Sequence, residues 1–129
     1  MTLYLSIDQV EELHALQLRR YGGSPGLRDR SGLECAVARP AMTFVGEDLY
    51  PGHASKAAAL MHSLVMNNPY VDGNKRVGAH AAILFLRMNG QRLEVTSTEL
   101  VEFTVAVAKG ELDAEALAIW FRQRISRED

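Results

Sequence analysis

The sequence predicts an all-α fold: one helical bundle spanning residues 1–129, with a single short β-hairpin flap. Three observations carry this. Apolar residues recur at helical spacing in six segments, clusters of Gly and Pro separate those segments, and two Ser/Thr-x-x-Gln/Glu patterns mark helix starts. Only residues 42–52 and 91–95 have a composition that suits extended chain.

Ser6 and Gln9 have capping-box spacing, and Ile7, Val10, Leu13 and Leu16 follow at helical intervals. That helix is expected to end near Tyr21, because Gly22, Gly23, Pro25 and Gly26 break it. A short second helix is expected from Ser31 to Arg39, stopped by Pro40. Residues 42–52 mix Thr43, Phe44, Val45, Leu49 and Tyr50 around Gly46 and read as a loop or small hairpin. His53 to Asn67 is rich in Ala and Leu and reads as a long buried helix, broken by Pro69 and by Asp72-Gly73. Asn74 to Asn89 forms the next apolar helix, with Gly90 as its stop. Thr96 and Glu99 make a second capping box, opening a helix to about Lys109, and a last helix is expected from Ala114 to Ile125.

Composition narrows the function. Hydrophobic residues make up 47% and charged residues 23%, as in a soluble globular protein. The net charge of −2 supplies no field that would draw the chain onto nucleic acid or an anionic membrane, so neither is an expected partner. A lone cysteine, Cys35, and the lack of a basic, apolar leader at residues 1–5 fit a reducing cytoplasm. Any phosphate this chain handles must be held by a local site.

Asn68-Pro69-Tyr70-Val71-Asp72-Gly73-Asn74-Lys75-Arg76 is where such a site would lie, between the two longest apolar helices. A helix starting near Asn74 leaves its first N–H groups unpaired, and its dipole places partial positive charge there. Gly73 permits close approach of a ligand. Lys75 and Arg76 oppose the dipole unless an anion sits beside them. Asp72 offers hard oxygen ligands to a Mg²⁺ ion shared with substrate phosphates. The same residues also describe an ordinary Asp-Gly turn before a solvated helix start.

The stretch from Pro69 to Arg76 resembles the His-Pro-Phe-x-Asp/Glu-Gly-Asn-x-Arg motif of the Fic/Doc family. Lys75 and Ala79 stand where adenylyl-transferring members carry glycine and a second arginine, so the resemblance is to the Doc, or death-on-curing toxin, branch. It extends to Tyr21 through Gly26, Leu33 through Pro40 and Phe85 through Gly90. The resemblance implies a Fic-fold bundle and a set of roles. Asp72 would bind Mg²⁺, Gly73 and Asn74 would form an anion hole, and Arg76 would grip a terminal phosphate. Lys75 would constrain ATP to an inverted pose that gives phosphorylation rather than adenylylation. Tyr70 would anchor the loop from inside, and the segment from Thr43 to Tyr50 would dock the target. It further implies translation factor EF-Tu as target and a Phd-like antitoxin as inhibitor. Thr43–Glu47 and Thr98–Glu102 have the spacing of a family self-inhibition motif, but Asp48 and Phe103 leave it incomplete, so inhibition is expected from a separate chain.

One departure stands out. Asn68 occupies the position of the family's general-base histidine. A carboxamide has no pKa that lets it take a proton at neutral pH, whereas an imidazole does. Three readings follow: an inactivated toxin, a binding module without turnover, or transfer with another base. His80 is the one substitute worth naming, although one turn further along the helix it reads more simply as a packed histidine. His62 is worse placed, and His14 and His53 carry no signal beyond surface or helix positions. Cys35 reads as a small core hydrophobe, Trp120 and Phe121 as anchors of the last helix, and Gly22-Gly23 as turn chemistry.

Overall fold

Capping sets the helix starts. In the computed structural model, which describes residues 1–127, α1 (Ile7–Tyr21) opens on a reciprocal box. The Gln9 amide donates to Ser6 Oγ at 3.1 Å, and the Ser6 amide donates to Gln9 Oε1 at 2.8 Å. Asp29 caps α2 (Arg30–Ala38) by accepting from the Gly32 amide at 3.0 Å. A 3₁₀ turn, Arg39–Ala41, follows at Pro40. Strands β1 (Thr43–Phe44) and β2 (Glu47–Asp48) then pair antiparallel as the expected flap. Next come α3 (Gly52–Asn67), α4 (Asn74–Met88) and β3 (Gln91–Leu93), then α5 (Ser97–Ala108), with Thr96 and Glu99 as its capping box, and α6 (Ala114–Arg122).

The end of α6 differs from expectation. The helix stops at Arg122, and Ile125–Arg127 forms a strand, β4, antiparallel to β3 with Leu93 opposite Ile125. Pairing with β3 gives these backbone groups partners that a fraying helix end would lack, and β-branched Ile125 packs against the core.

Helix α3 is the centre of the molecule, with α4, α6 and α2 packed around it. Every residue from Ala54 to Val65 is buried except His62. Alanines at 54, 57, 58 and 59 let neighbouring helices approach closely. Gly78 does the same from α4: a Cβ there would lie 2.7 Å from Val65 Cγ2 and 3.3 Å from the Met61 carbonyl oxygen. Gly78→Val should therefore destabilise the fold by about 1–3 kcal/mol through overpacking, measured by urea unfolding. A change within 0.5 kcal/mol (roughly the scale of surface substitutions) would show that the helices part easily.

Trp120 and Phe121 are buried, and Trp120 stacks on Phe103 at 3.8 Å, as anchors of α6. Two expectations are corrected. Cys35 is exposed on α2 rather than in the core, because the buried face of that short helix is made by Gly32, Leu33 and Ala36. His14 is not a surface residue but 4% exposed, under the α3–α4 turn. Lys56, 2% exposed, secures the flap. Its Nζ donates to the Tyr50 carbonyl at 2.8 Å, Asp48 Oδ2 at 3.1 Å and the Pro40 carbonyl at 3.3 Å. Among the described residues no helix is long and apolar enough to cross a membrane.

Candidate active site

The turn joining α3 to α4 is built on two left-handed residues. Asn68 ends α3 with φ 51° and ψ 51°, a conformation that asparagine tolerates better than most side chains. Gly73 precedes α4 with φ 83°, where glycine has no Cβ penalty. Asn74, 8% exposed, holds the turn between them. Its Oδ1 accepts from the Tyr70 amide and its Nδ2 donates to the Tyr70 carbonyl, both at 2.9 Å. The same Nδ2 donates to Asn68 Oδ1 in a short hydrogen bond.

Tyr70 points inward and is 1% exposed, the loop anchor that the motif implies. Its ring stacks on His14 at 3.7 Å with planes 9° apart. Burial, and then the Glu11 carboxylate, raise the pKa of its phenol, so the ring stays neutral.

The loop between α1 and α2 forms a wall beside this turn. The Arg28 and Asp29 amides donate to the Pro69 carbonyl at 2.7 and 2.9 Å, and the Val71 amide donates to the Gly26 carbonyl at 3.0 Å. Arg28 Nη2 reaches the Asn68 carbonyl at 2.6 Å. The Ser24 amide donates to Asp72 Oδ2 at 3.1 Å, and the Gly73 amide to Asp72 Oδ1 at 2.8 Å. A Cβ at Gly23 would sit 2.8 Å from Asp72 Oδ2, so this glycine serves close approach as well as the turn. His14, Ser24 and Arg28 are thus part of the site, though nothing in the sequence context of His14 and Arg28 marks them. The glycine-rich run at 22–26 is the one signal that could have pointed to the wall.

A cavity of about 590 Å³ opens over the turn, and Asn68, Asp72, Gly73, Asn74, Lys75 and Arg76 all line it. The structure therefore brings together every site residue expected from the sequence. The Val77 amide is the first in α4 to find a backbone acceptor, Gly73 O at 2.9 Å, which leaves the amides of residues 74–76 at the open helix end. Arg76 lies over the Tyr21 ring, 4.9 Å from its centroid. His80 faces a separate groove of about 270 Å³ between α4 and α5, away from Asn68. Burial first, and Arg20 second, lower its pKa.

Asp72 is exposed and charged. The amides of Ser24 and then Gly73 hold its carboxyl below the usual aspartate value of 3.8, with the Arg76 charge adding to them. The carboxylate therefore loses its charge only as pH falls through that depressed value. In a Ser24→Pro protein, which lacks the amide donor, its titration midpoint should move up toward 3.8 when followed by carboxyl carbon NMR. An unmoved midpoint would remove Ser24 as the main cause. Among the described residues no cluster of three or more His, Cys, Asp or Glu is placed to hold a metal. A divalent ion at Asp72 fits as one carboxylate contact completed by phosphate and water oxygens, which is the usual manner of Mg²⁺.

The fold and site together define a class: a helical bundle whose central helix pair brings an open helix start, two cations and one ionised carboxylate to one cavity. The chain belongs to the Fic/DOC family, whose profile matches residues 4–86. It is 40% identical over 120 residues to "Toxin Doc" of Mycolicibacterium smegmatis (strain ATCC 700084 / mc(2)155), covering 90% of each chain. It is 32% identical over 123 residues to "Protein kinase doc" of Escherichia phage P1, covering 93% of this chain and 94% of that one.

Proposed function

We propose that this chain is a Doc-type toxin built to move a phosphoryl group from ATP to a hydroxyl of a protein target, with transfer impaired by Asn68. The observation that carries the reading is convergence: one cavity receives the Asp72 carboxylate, the open start of α4, and the cations of Lys75 and Arg76. The similarity to a protein named as a kinase favours phosphoryl over adenylyl transfer, and Lys75 supports the same choice. The target is EF-Tu, the inhibitor a Phd-like antitoxin, and the compartment the cytoplasm.

The amides of Asn74 and the residues after it receive phosphate oxygens. Gly73, whose own N–H is taken by Asp72 Oδ1, leaves room for their approach rather than donating. Lys75 orients the nucleotide, and Arg76 neutralises the terminal phosphate. Mg²⁺ at Asp72, when bound, offsets phosphate charge and helps align the chain of phosphates. The target oxygen attacks the γ-phosphorus, a new P–O bond forms, the bond to the β-phosphate oxygen breaks, and ADP leaves. The hydroxyl proton needs an acceptor. Asn68 is a poor one, because its amide does not ionise and its Oδ1 already accepts from Asn74.

That last contact also favours a second reading, a module that binds nucleotide or antitoxin without turnover. Calorimetry tests the part the two share. ATP should bind, Mg²⁺ should strengthen the binding, and Asp72→Ala should abolish the Mg²⁺ increment. Equal affinity with and without Mg²⁺ would reject the metal role, and no ATP binding would reject the transferase and the nucleotide-binding module, leaving only a module that binds antitoxin.

A further inference from the structure

The geometry points to His14 as a positioning residue for the phosphate site, acting on the peptide unit between Asp72 and Gly73. This rests on the reading of the site as a phosphate cradle. His14 Nε2 lies 2.7 Å from the Asp72 carbonyl oxygen. A carbonyl only accepts, so Nε2 carries the proton and His14 is held in that tautomer when neutral. The N–H at the other end of the same peptide, that of Gly73, donates to Asp72 Oδ1. One peptide plane is thus gripped at both ends, by a buried imidazole and by the aspartate's own carboxylate.

The consequence is directional. A peptide is rigid and planar, so pinning its oxygen toward α1 turns its N–H the opposite way. The Asp72 carboxylate follows that N–H. The next amides, which start α4, inherit their orientation from Gly73. Were the plane to flip, a carbonyl dipole would replace the N–H and the carboxylate would lose its partner. Gly73 sits at φ 83°, and glycine samples alternative backbone conformations readily, so an external restraint matters here. The restraint is stiff: His14 is 4% exposed and its ring is stacked on Tyr70, itself 1% exposed.

Three variants separate the hydrogen bond from the packing. His14→Phe keeps a stacked ring and loses the donor; His14→Gln offers an amide donor without the ring; His14→Leu removes both. Amide exchange of Gly73 should speed up about tenfold in His14→Phe, the size of a lost hydrogen bond, while core amides of α3 keep their rates. Affinity for inorganic tripolyphosphate with Mg²⁺ should fall several-fold in His14→Phe and be largely regained in His14→Gln. A purely packing role predicts the reverse order, with His14→Phe nearly normal. In the unaltered protein, ring nitrogen NMR should show Nε2 protonated. The opposite tautomer, or exchange and affinity in His14→Phe within twofold of the parent, would overturn the assignment. If His14→Phe does not fold, the tautomer and His14→Gln decide it. A parent chain that binds no tripolyphosphate would instead sink the phosphate reading, and with it the functional part of this one.

Discussion

Replacing Asn68 with histidine should raise phosphoryl transfer by about 10²- to 10⁴-fold, the range of a restored general base. The comparison is labelled-ATP transfer to EF-Tu by the Asn68 and Asn68→His proteins. Nucleotide affinity should stay within a few-fold, because Asp72, Gly73, Asn74, Lys75 and Arg76 are in place around the cavity in either case. The fold should barely respond. Position 68 is exposed and left-handed, asparagine and histidine are both enriched in that conformation, and surface exchanges usually stay within about 0.5 kcal/mol. Equal transfer by the two proteins would mean that the proton leaves by another route. His80 would then be the next residue to replace, although it faces the neighbouring groove.

Asn74→Ala should be among the most damaging single changes to stability outside the apolar core. The Leu27–Tyr70 bridge uses the backbone of Pro69 and Val71 and turns the Tyr70 N–H and C=O away, toward Asn74. Both of these groups are bonded to the Asn74 carboxamide. Alanine at 74 would leave the two without partners in a buried turn, at about 1–3 kcal/mol each. Urea unfolding should show the unfolding free energy lowered by their sum, as a lower midpoint at an unchanged slope. Phosphate affinity should fall as well, since the turn that presents the cradle loses its internal brace. A stability loss under about 1 kcal/mol would indicate that water or a backbone shift replaces both bonds.

Much of this architecture was legible because its signals are local. Ser6 with Gln9 and Thr96 with Glu99 declared two helix starts, and Gly46 with Pro51-Gly52 bracketed the flap. The gathering of the candidate site was legible for the same reason: residues 68–76 are contiguous, and a helix start with its own glycine, carboxylate and cations is a local object. What escaped was long-range. His14, Ser24 and Arg28 reach the turn across 58, 48 and 40 residues, and no periodicity in α1 distinguishes a histidine that grips a carbonyl from one facing water. The strand at Ile125–Arg127 escaped likewise, since its partner Gln91–Leu93 lies before two intervening helices. Cys35 was misplaced because a nine-residue helix shows too few turns to assign its inner face.

Apart from Asn74, which opens α4, the named clamps on the α3–α4 turn lie upstream of it. His14, Ser24, Arg28 and Asp29 are already synthesised when Asn68 emerges, and the turn itself joins two helices adjacent in sequence through a six-residue loop. Closing so short a loop carries less entropy cost than closing a long one. Of the residues lining the cavity only Ala108 lies beyond α4. Helix α6, by contrast, covers α3 only after a further span that includes α5 and β3. On the ribosome, every residue that clamps the turn from outside is therefore available before α6, which completes the cover of α3, has been made.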